Sequence, residues 1–170
     1  MTDIHAQRLP AHALLARYAA DGGYTDCFVT EISGSATHAE YVEAFYTTRL
    51  FKLERLILKW LVARPSTDAQ VRELARGARD SFAAWSVEAR APDQLLMCDL
   101  RGDTRSWFMA NTVQRNGVAV TQLYFGSAVI GTRNTKSGER SMKPQFRALL
   151  GFHQLYSRAL LRAARRRLLA

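Results

Sequence analysis

The sequence predicts an α+β fold in which a curved antiparallel β-sheet wraps around a long C-terminal α-helix. Three observations predict it. After Gly77 the chain turns to short strand-like runs, several of them alternating, separated by Pro92-Asp93, Gly102-Asp103 and Asn116-Gly117, the pattern of hairpin-linked antiparallel strands. From about Gln145 to Leu169 the period becomes helical. One earlier strand, residues 24–32, is separated from this meander by shorter helices between the first strand and the meander. A meander must cover its inner face. The terminal helix is the only late element able to do so, and the earlier helices can plug one end. This is a helix-grip, an arrangement that often leaves an apolar cavity between sheet and helix.

Pro10 to Ala20 is expected to form a short helix, with Pro10 in its first turn and Gly22-Gly23 past its end. The run "YTDCFVTEI" (24–32) is alternating and rich in β-formers, hence a strand. From about His38 to Val62 the chain is helical, and Pro65 stops it. In "STDAQVRELARG", Thr67 and Gln70 have capping-box spacing and Gly77 closes a second helix. "FAAWSVEAR", "QLLMCDLR", "TRSWFMANTVQ" and "VAVTQLYFGSAVIG" form the meander, and Asn116-Gly117 joins the last two as a hairpin. A polar, basic loop spans 131–144; its length and glycines fit a lid over a cavity mouth or a basic connector equally well. No repeat, low-complexity segment or second boundary interrupts the chain. Residues 1–170 are therefore expected to form a single domain, with an N-terminal helical extension (1–23), the basic loop (131–144) and a basic tail (164–170).

Composition narrows the class. A chain of 170 residues can bury one sizeable core, and 48% hydrophobic with 23% charged residues are ordinary globular values that exclude wholesale disorder. No apolar run approaches the roughly 18 residues of a membrane span, and the N-terminus lacks a basic-then-apolar pattern, so a cytoplasmic protein is expected. Cys27 and Cys98 lie far apart in strand-like runs, as buried, reduced thiols do. No Cys/His cluster has metal-ligand spacing, and neither metal nor other cofactor is expected.

The net charge of +9 is local. Residues 1–130 carry 14 basic and 14 acidic side chains, whereas residues 131–170 carry 10 basic residues and one acid, Glu139. Projected at 100° per residue, Leu149, Phe152, Tyr156, Ala159, Leu160 and Ala163 share one stripe of the terminal helix. Arg147, Arg158, Arg162 and Arg165 lie opposite, on the expected solvent face. Arg167 falls on the stripe, so the packed part is expected to end near Ala163. Nucleic-acid binding would want aromatic residues interleaved with the basic ones, and none are, so a nucleic-acid partner is not expected. The closing "RAARRRLLA" leaves contact with an anionic membrane surface as a reading ranked behind a solvated face.

The strand opening "TDCF", the hairpin "GDTRSW" and the helix "GFHQLYSRALLRAA" together resemble a bacterial family of unknown function, from about Tyr24 onward. Its members also occur fused behind short-chain-dehydrogenase-like NAD(P)-binding domains. The resemblance implies the helix-grip fold of the START and birch-pollen-allergen-like superfamily (SRPBCC), with small apolar ligands such as lipids or aromatic-polyketide-like molecules. It brings no catalytic residues with it.

Several residues stand out. In "FYTTRLFKLERLILKWLVARP" (45–65), Arg49, Lys52, Arg55 and Lys59 share one arc, while Glu54 lies inside a broad apolar arc, between Leu61 and Leu58. A buried carboxylate must be paired, hydrogen-bonded or protonated. Glu54 is expected to pair with Arg101, Arg105 or Arg90; the alternative is a carboxylate facing a cavity as acid, base or ligand anchor. On the terminal helix, His153 sits at the edge of the apolar stripe and Tyr156 at its centre. Each is expected to be satisfied internally, with a ligand-facing role as the alternative. Arg105, Trp107, Met109 and Asn111 share one face of their strand, and Ser106, Phe108, Ala110 and Thr112 the other. Large apolar groups on both faces are what a sheet covered on one side and self-associating on the other would carry, giving a homodimer through the sheet face. The chain has no Gly-rich phosphate loop, HExxH or nucleophile elbow.

The leading expectation is a soluble binding module for a small, largely apolar molecule. Trp107, Tyr124, His153 and Tyr156 would line its cavity, with Glu54 or Arg105 as polar anchor and Asn111 among the polar contacts. The alternatives are a cyclase, hydrolase or isomerase using Glu54 or His153 for proton transfer, and a non-enzymatic protein contacting anionic surfaces through its basic C-terminal helix.

Overall fold

Alternation within each strand and turn chemistry between strands build an antiparallel sheet that holds α2 and α4, its helices at His38–Tyr46 and Pro144–Leu168, on one face and the N-terminal segment on the other. The computed structural model describes residues 4–53, 55, 66–133, 140–141 and 144–170. In chain order the elements are β1 (His5–Ala6), α1 (Ala16–Ala20), β2 (Tyr24–Ser33), α2 (His38–Tyr46), α3 (Asp68–Ala75), β3 (Ser81–Phe82), β4 (Trp85–Ala91), β5 (Gln94–Asp99), β6 (Thr104–Arg115), β7 (Val118–Val129), β8 (Thr132–Arg133), β9 (Arg140–Ser141) and α4 (Pro144–Leu168). The main sheet has seven strands in the order β1-β2-β7-β6-β5-β4-β3, every neighbour antiparallel. The architecture is α+β, and α4 lies against α2 and across β2 and β7 as in a helix-grip.

Register sorts side chains by face. Phe28, Phe125 and Phe108 stand opposite one another across β2, β7 and β6. They join Tyr41, Phe45, Tyr46, Phe51, Leu160, Leu161 and Ala164 in the core between sheet and helices. Phe45 is its hub, with ring centroids 4.7 Å from Phe108 and 4.8 Å from Phe125. Each fully buried Phe contributes about 1.5–3 kcal/mol relative to exposure. The Tyr41 hydroxyl donates to the Tyr124 carbonyl at 3.0 Å, pinning α2 onto β7.

The opposite face has its own core. Cys27, Val29, Leu96, Trp107, Met109, Tyr124 and Ala128 are covered by the segment carrying Leu9, Ala13, Leu14, Leu15 and Tyr18. The N-terminal segment thus occupies, over Trp107 and Tyr124, the face for which a second copy was expected. Its fit explains Gly126: a Cβ there would sit 2.8 Å from the Asp26 carbonyl oxygen and 3.0 Å from both Leu15 and Trp107.

Local expectations met three modifications. The first helix begins at Ala16 rather than Pro10, because Gln94 ties down the preceding backbone: it accepts from the Leu14 N–H at 2.9 Å and donates to the His12 carbonyl at 3.2 Å. The helix expected from His38 ends at Tyr46, where two threonines interrupt it. Thr47 Oγ1 bonds the Glu43 carbonyl at 2.7 Å. Thr48 Oγ1 accepts from Phe51 N at 3.1 Å, opening a second helical stretch at 49–53. Residues 56–65, including Lys59, lie outside the described residues. The capping box at Thr67 and Gln70 is present as its spacing predicts. The loop expected at 131–144 contains the paired β8 and β9.

On α4 the buried stripe is Ser157, Leu160, Leu161 and Ala164, with Leu168 packed beside it, not the stripe centred on Tyr156. Phe152 and Leu155 are each 68% exposed. The helix is wedged between α2 and the sheet, so its buried arc follows those two surfaces rather than its own apolar maximum. Packing therefore runs past Ala163, and Arg165 reaches inward to donate to the Glu31 carbonyl at 2.9 Å. Arg158, Arg162, Arg166 and Arg167 are exposed.

Candidate functional site

Strand parity and the seat of α4 against α2, β2 and β7 leave two adjoining spaces under the helix. The first, about 190 Å³, is walled by Phe45, Phe51, Trp85, Phe108, Phe125 and Leu160, with Thr104, Ser106, Ser157, His153 and Tyr156 supplying polar groups. The second, about 200 Å³, is bounded by Ala128, Val129, Leu150 and Phe152, and shares Thr104, His153 and Tyr156 with the first. His153 and Tyr156 are therefore common to both walls.

Behind His153 stands a polar chain. β2 and β7 pair Asp26 directly with Ser127. Asp26 Oδ1 accepts from the Ser127 N–H at 3.0 Å and from Ser127 Oγ at 2.5 Å. Ser127 Oγ also lies 2.7 Å from His153 Nε2, and His153 Nε2 is 3.7 Å from Asp26 Oδ2. Tyr24 donates to Asp26 Oδ2 at 3.1 Å and accepts from Gln154 Nε2 at 2.9 Å. Three donors thus converge on one carboxylate whose side chain is only 8% exposed, the environment an ionised Asp needs when buried.

Ser127 has one hydroxyl proton and gives it to Asp26, so His153 Nε2 must carry a proton to donate to Ser127 Oγ. In the neutral ring Nδ1 is then the acceptor. The order carboxylate–serine–histidine differs from a hydrolytic triad, in which the histidine takes the serine's proton. Ser127 is a link that orients the imidazole, not an activated nucleophile. The carboxylate also acts on its neighbours. Burial, followed by the charge of Asp26, pushes the Cys27 thiol up to about 12. Burial, reinforced by Asp26 and opposed by the Gln154 hydrogen bond, raises the Tyr24 hydroxyl.

The structure brings His153 and Tyr156 to the cavity and takes most of the other sequence candidates elsewhere. Trp107 is 0% exposed on the opposite face, its Nε1 donating to Gln94 Oε1 at 2.9 Å. Tyr124 shares that face and donates to Gln122 at 3.0 Å, and Asn111 is exposed. Arg105 borders the first space, yet its guanidinium bonds Tyr18 Oη at 2.9 Å and pairs with Glu88 on the far side. Arg90 bonds the carbonyls of Leu74 and Arg79. Glu54 lies outside the described residues. Its neighbour Arg55, on the arc shared with Arg49 and Lys52, is buried at 9% and held by Ser66 and Asp68, with its guanidinium over the Phe82 ring.

Asp26 and Ser127 were not among the sequence candidates. A signal existed for Asp26: it has the parity of Phe28 and Ile32 in an alternating strand, a charge where the pattern asks for an apolar residue. Among the described residues, no three His, Cys, Asp or Glu side chains gather as a metal site would require, and no helix is long and apolar enough to cross a membrane.

No family model and no curated protein matches the chain. Among solved structures it is similar to CalU16 from Micromonospora echinospora, at 9% identity over 98% of this chain and 92% of that one, with a TM-score of 0.29.

Proposed function

We propose that the chain is a binding module for a small, largely apolar molecule held between the sheet and α4. The observation that carries this reading is the pair of adjoining spaces whose walls are aromatic and aliphatic, with His153 and Tyr156 in both. Pockets for drug-sized ligands run from about 300 Å³ upward, whereas a dry apolar cavity of about 150 Å³ accepts benzene. Spaces of about 190 and 200 Å³ accordingly suit a one-ring molecule each, or a larger ligand reaching across His153 and Tyr156. With Arg105 engaged on the far face, His153 takes over the anchoring role.

Native mass spectrometry of freshly purified protein, followed by extraction of whatever co-purifies, tests the proposal. A stoichiometric small molecule supports it. If none co-purifies, one-ring aromatics must raise the unfolding midpoint in proportion to their occupancy. Ser106→Trp, which fills the first space, should reduce that effect to what the second space supplies. No stabilisation by any of them would overturn the proposal.

A second reading rests on a different surface. The outer face of α4 carries exposed Phe152, Leu155 and Leu169 beside exposed Arg158, Arg162 and Arg166. Basic and apolar side chains together on a helix suit an anionic bilayer surface. Co-sedimentation with phosphatidylserine-containing vesicles, lost in Leu155→Ser and absent with phosphatidylcholine alone, is the expected result. Equal binding to both vesicle types removes the reading.

A further inference from the structure

We infer that His153 Nδ1 is a built hydrogen-bond acceptor for a neutral O–H donor, so that the molecule bound under α4 carries a hydroxyl of phenol or enol type. This rests on the proposed binding function and specifies its chemistry. The relay behind the ring defines the acceptor. Asp26 takes the Ser127 hydroxyl proton at 2.5 Å, and Ser127 Oγ then accepts from His153 Nε2–H at 2.7 Å. In the neutral imidazole this selects the tautomer with its lone pair on Nδ1. The ring lines both spaces, so a ligand in either can meet it.

The charge around the site selects among ligands. A carboxylate or phosphate leaving water needs a fixed cation to offset its desolvation. Among the described residues, the guanidinium bordering the space, that of Arg105, is committed to Glu88 and Tyr18 on the opposite face. Asp26 adds negative charge behind His153, which further disfavours an anion. A purely apolar ligand would leave Nδ1 without a donor once water is displaced. A neutral hydroxyl on an aromatic or conjugated body satisfies the acceptor and suits the aromatic walls together.

Three probes of similar size separate the possibilities: toluene, p-cresol and benzoate, each titrated calorimetrically into the full chain. The wild type should bind p-cresol about tenfold more tightly than toluene, the scale of one desolvated hydrogen bond, and benzoate more weakly than p-cresol. His153→Leu should erase the p-cresol preference, bringing the ratio of the p-cresol and toluene affinities to about one. Ser127→Ala tests the positioning role: toluene affinity should persist, the p-cresol preference should shrink, and imidazole 15N shifts should change from a single Nε2–H tautomer to a mixture. Equal affinity for toluene and p-cresol in the wild type, or a preference that survives in His153→Leu, overturns the inference and leaves the binding function standing. Tightest binding of benzoate overturns it also. Failure of all three probes to bind removes the cavity reading itself, and this inference with it.

Discussion

Replacing Gln94 by leucine should release the N-terminal segment from the sheet. Gln94 is 4% exposed and has three partners: its Oε1 accepts from Leu14 N–H and Trp107 Nε1–H, both at 2.9 Å, and its Nε2 donates to the His12 carbonyl at 3.2 Å. Leucine is close in size, so little packing is lost, but two donors and one acceptor lose their partner. A buried polar group left unsatisfied costs about 1–3 kcal/mol. Trp107 is fully buried and bears the full penalty, whereas Leu14 and His12 can regain water once the segment lifts. The expected loss is therefore about 3 kcal/mol, at the low end of the simple sum of three penalties. Urea unfolding measures it, and trypsin cleavage at exposed Arg8 and Arg17 reports the lifted segment. Gln94→Glu retains the acceptor but loses the amide donor, and should fall between the two. Lifting the segment also uncovers Leu96, Trp107 and Met109, so Gln94→Leu should self-associate in sedimentation, as an open sheet face would. A loss below about 1 kcal/mol with unchanged cleavage would refute the role given to this glutamine.

Two further outcomes follow from the same geometry. Gly126→Ala, which puts a methyl group 2.8 Å from the Asp26 carbonyl oxygen, should lower stability by about 1–3 kcal/mol in urea unfolding, and a neutral effect would mean that the N-terminal layer is loosely seated. His38 governs acid stability: burial above all, with a smaller push from Arg90, lowers its imidazole to about 4 against the opposing pull of Asp93 and a Phe108 backbone hydrogen bond. Above its ordinary value of 6.5 the ring is neutral in both states; as pH falls from 6.5 to 4 the unfolded chain takes the proton first, so stability drops, by up to about 3 kcal/mol. His38→Gln should flatten this part of the pH–stability profile, and parallel profiles for the two proteins would contradict the assignment.

The elements that matched the sequence reading are those decided within a few residues. The turn at Asn116-Gly117 has φ of 53° and 78°, a left-handed pair that these two residue types tolerate and most others resist. The capping box at Thr67 closes within three residues, and β2 follows its own alternation. Sequence spacing also located the positive charge at the C-terminal end. Where a reading needed to know what lies across from an element, it failed. Trp107 and Phe108 are both large, apolar and fully buried, and parity puts them on opposite faces without saying which face holds the cavity. The stripe of α4 was misplaced because burial there depends on α2 and the sheet together.

The sequence by itself determined an α+β chain with a hairpin meander and a terminal helix, because period, turn chemistry and caps act over a few residues of backbone. The tertiary structure decided the site. Asp26 and Ser127 are separated by 101 residues and Ser127 and His153 by 26, and only the β2–β7 register and the seat of α4 bring the three within hydrogen-bond reach. The far face was settled in the same way, by an N-terminal segment tied to Gln94 80 residues further along the chain. Contacts of that kind depend on how separate elements pack, and no local periodicity encodes them.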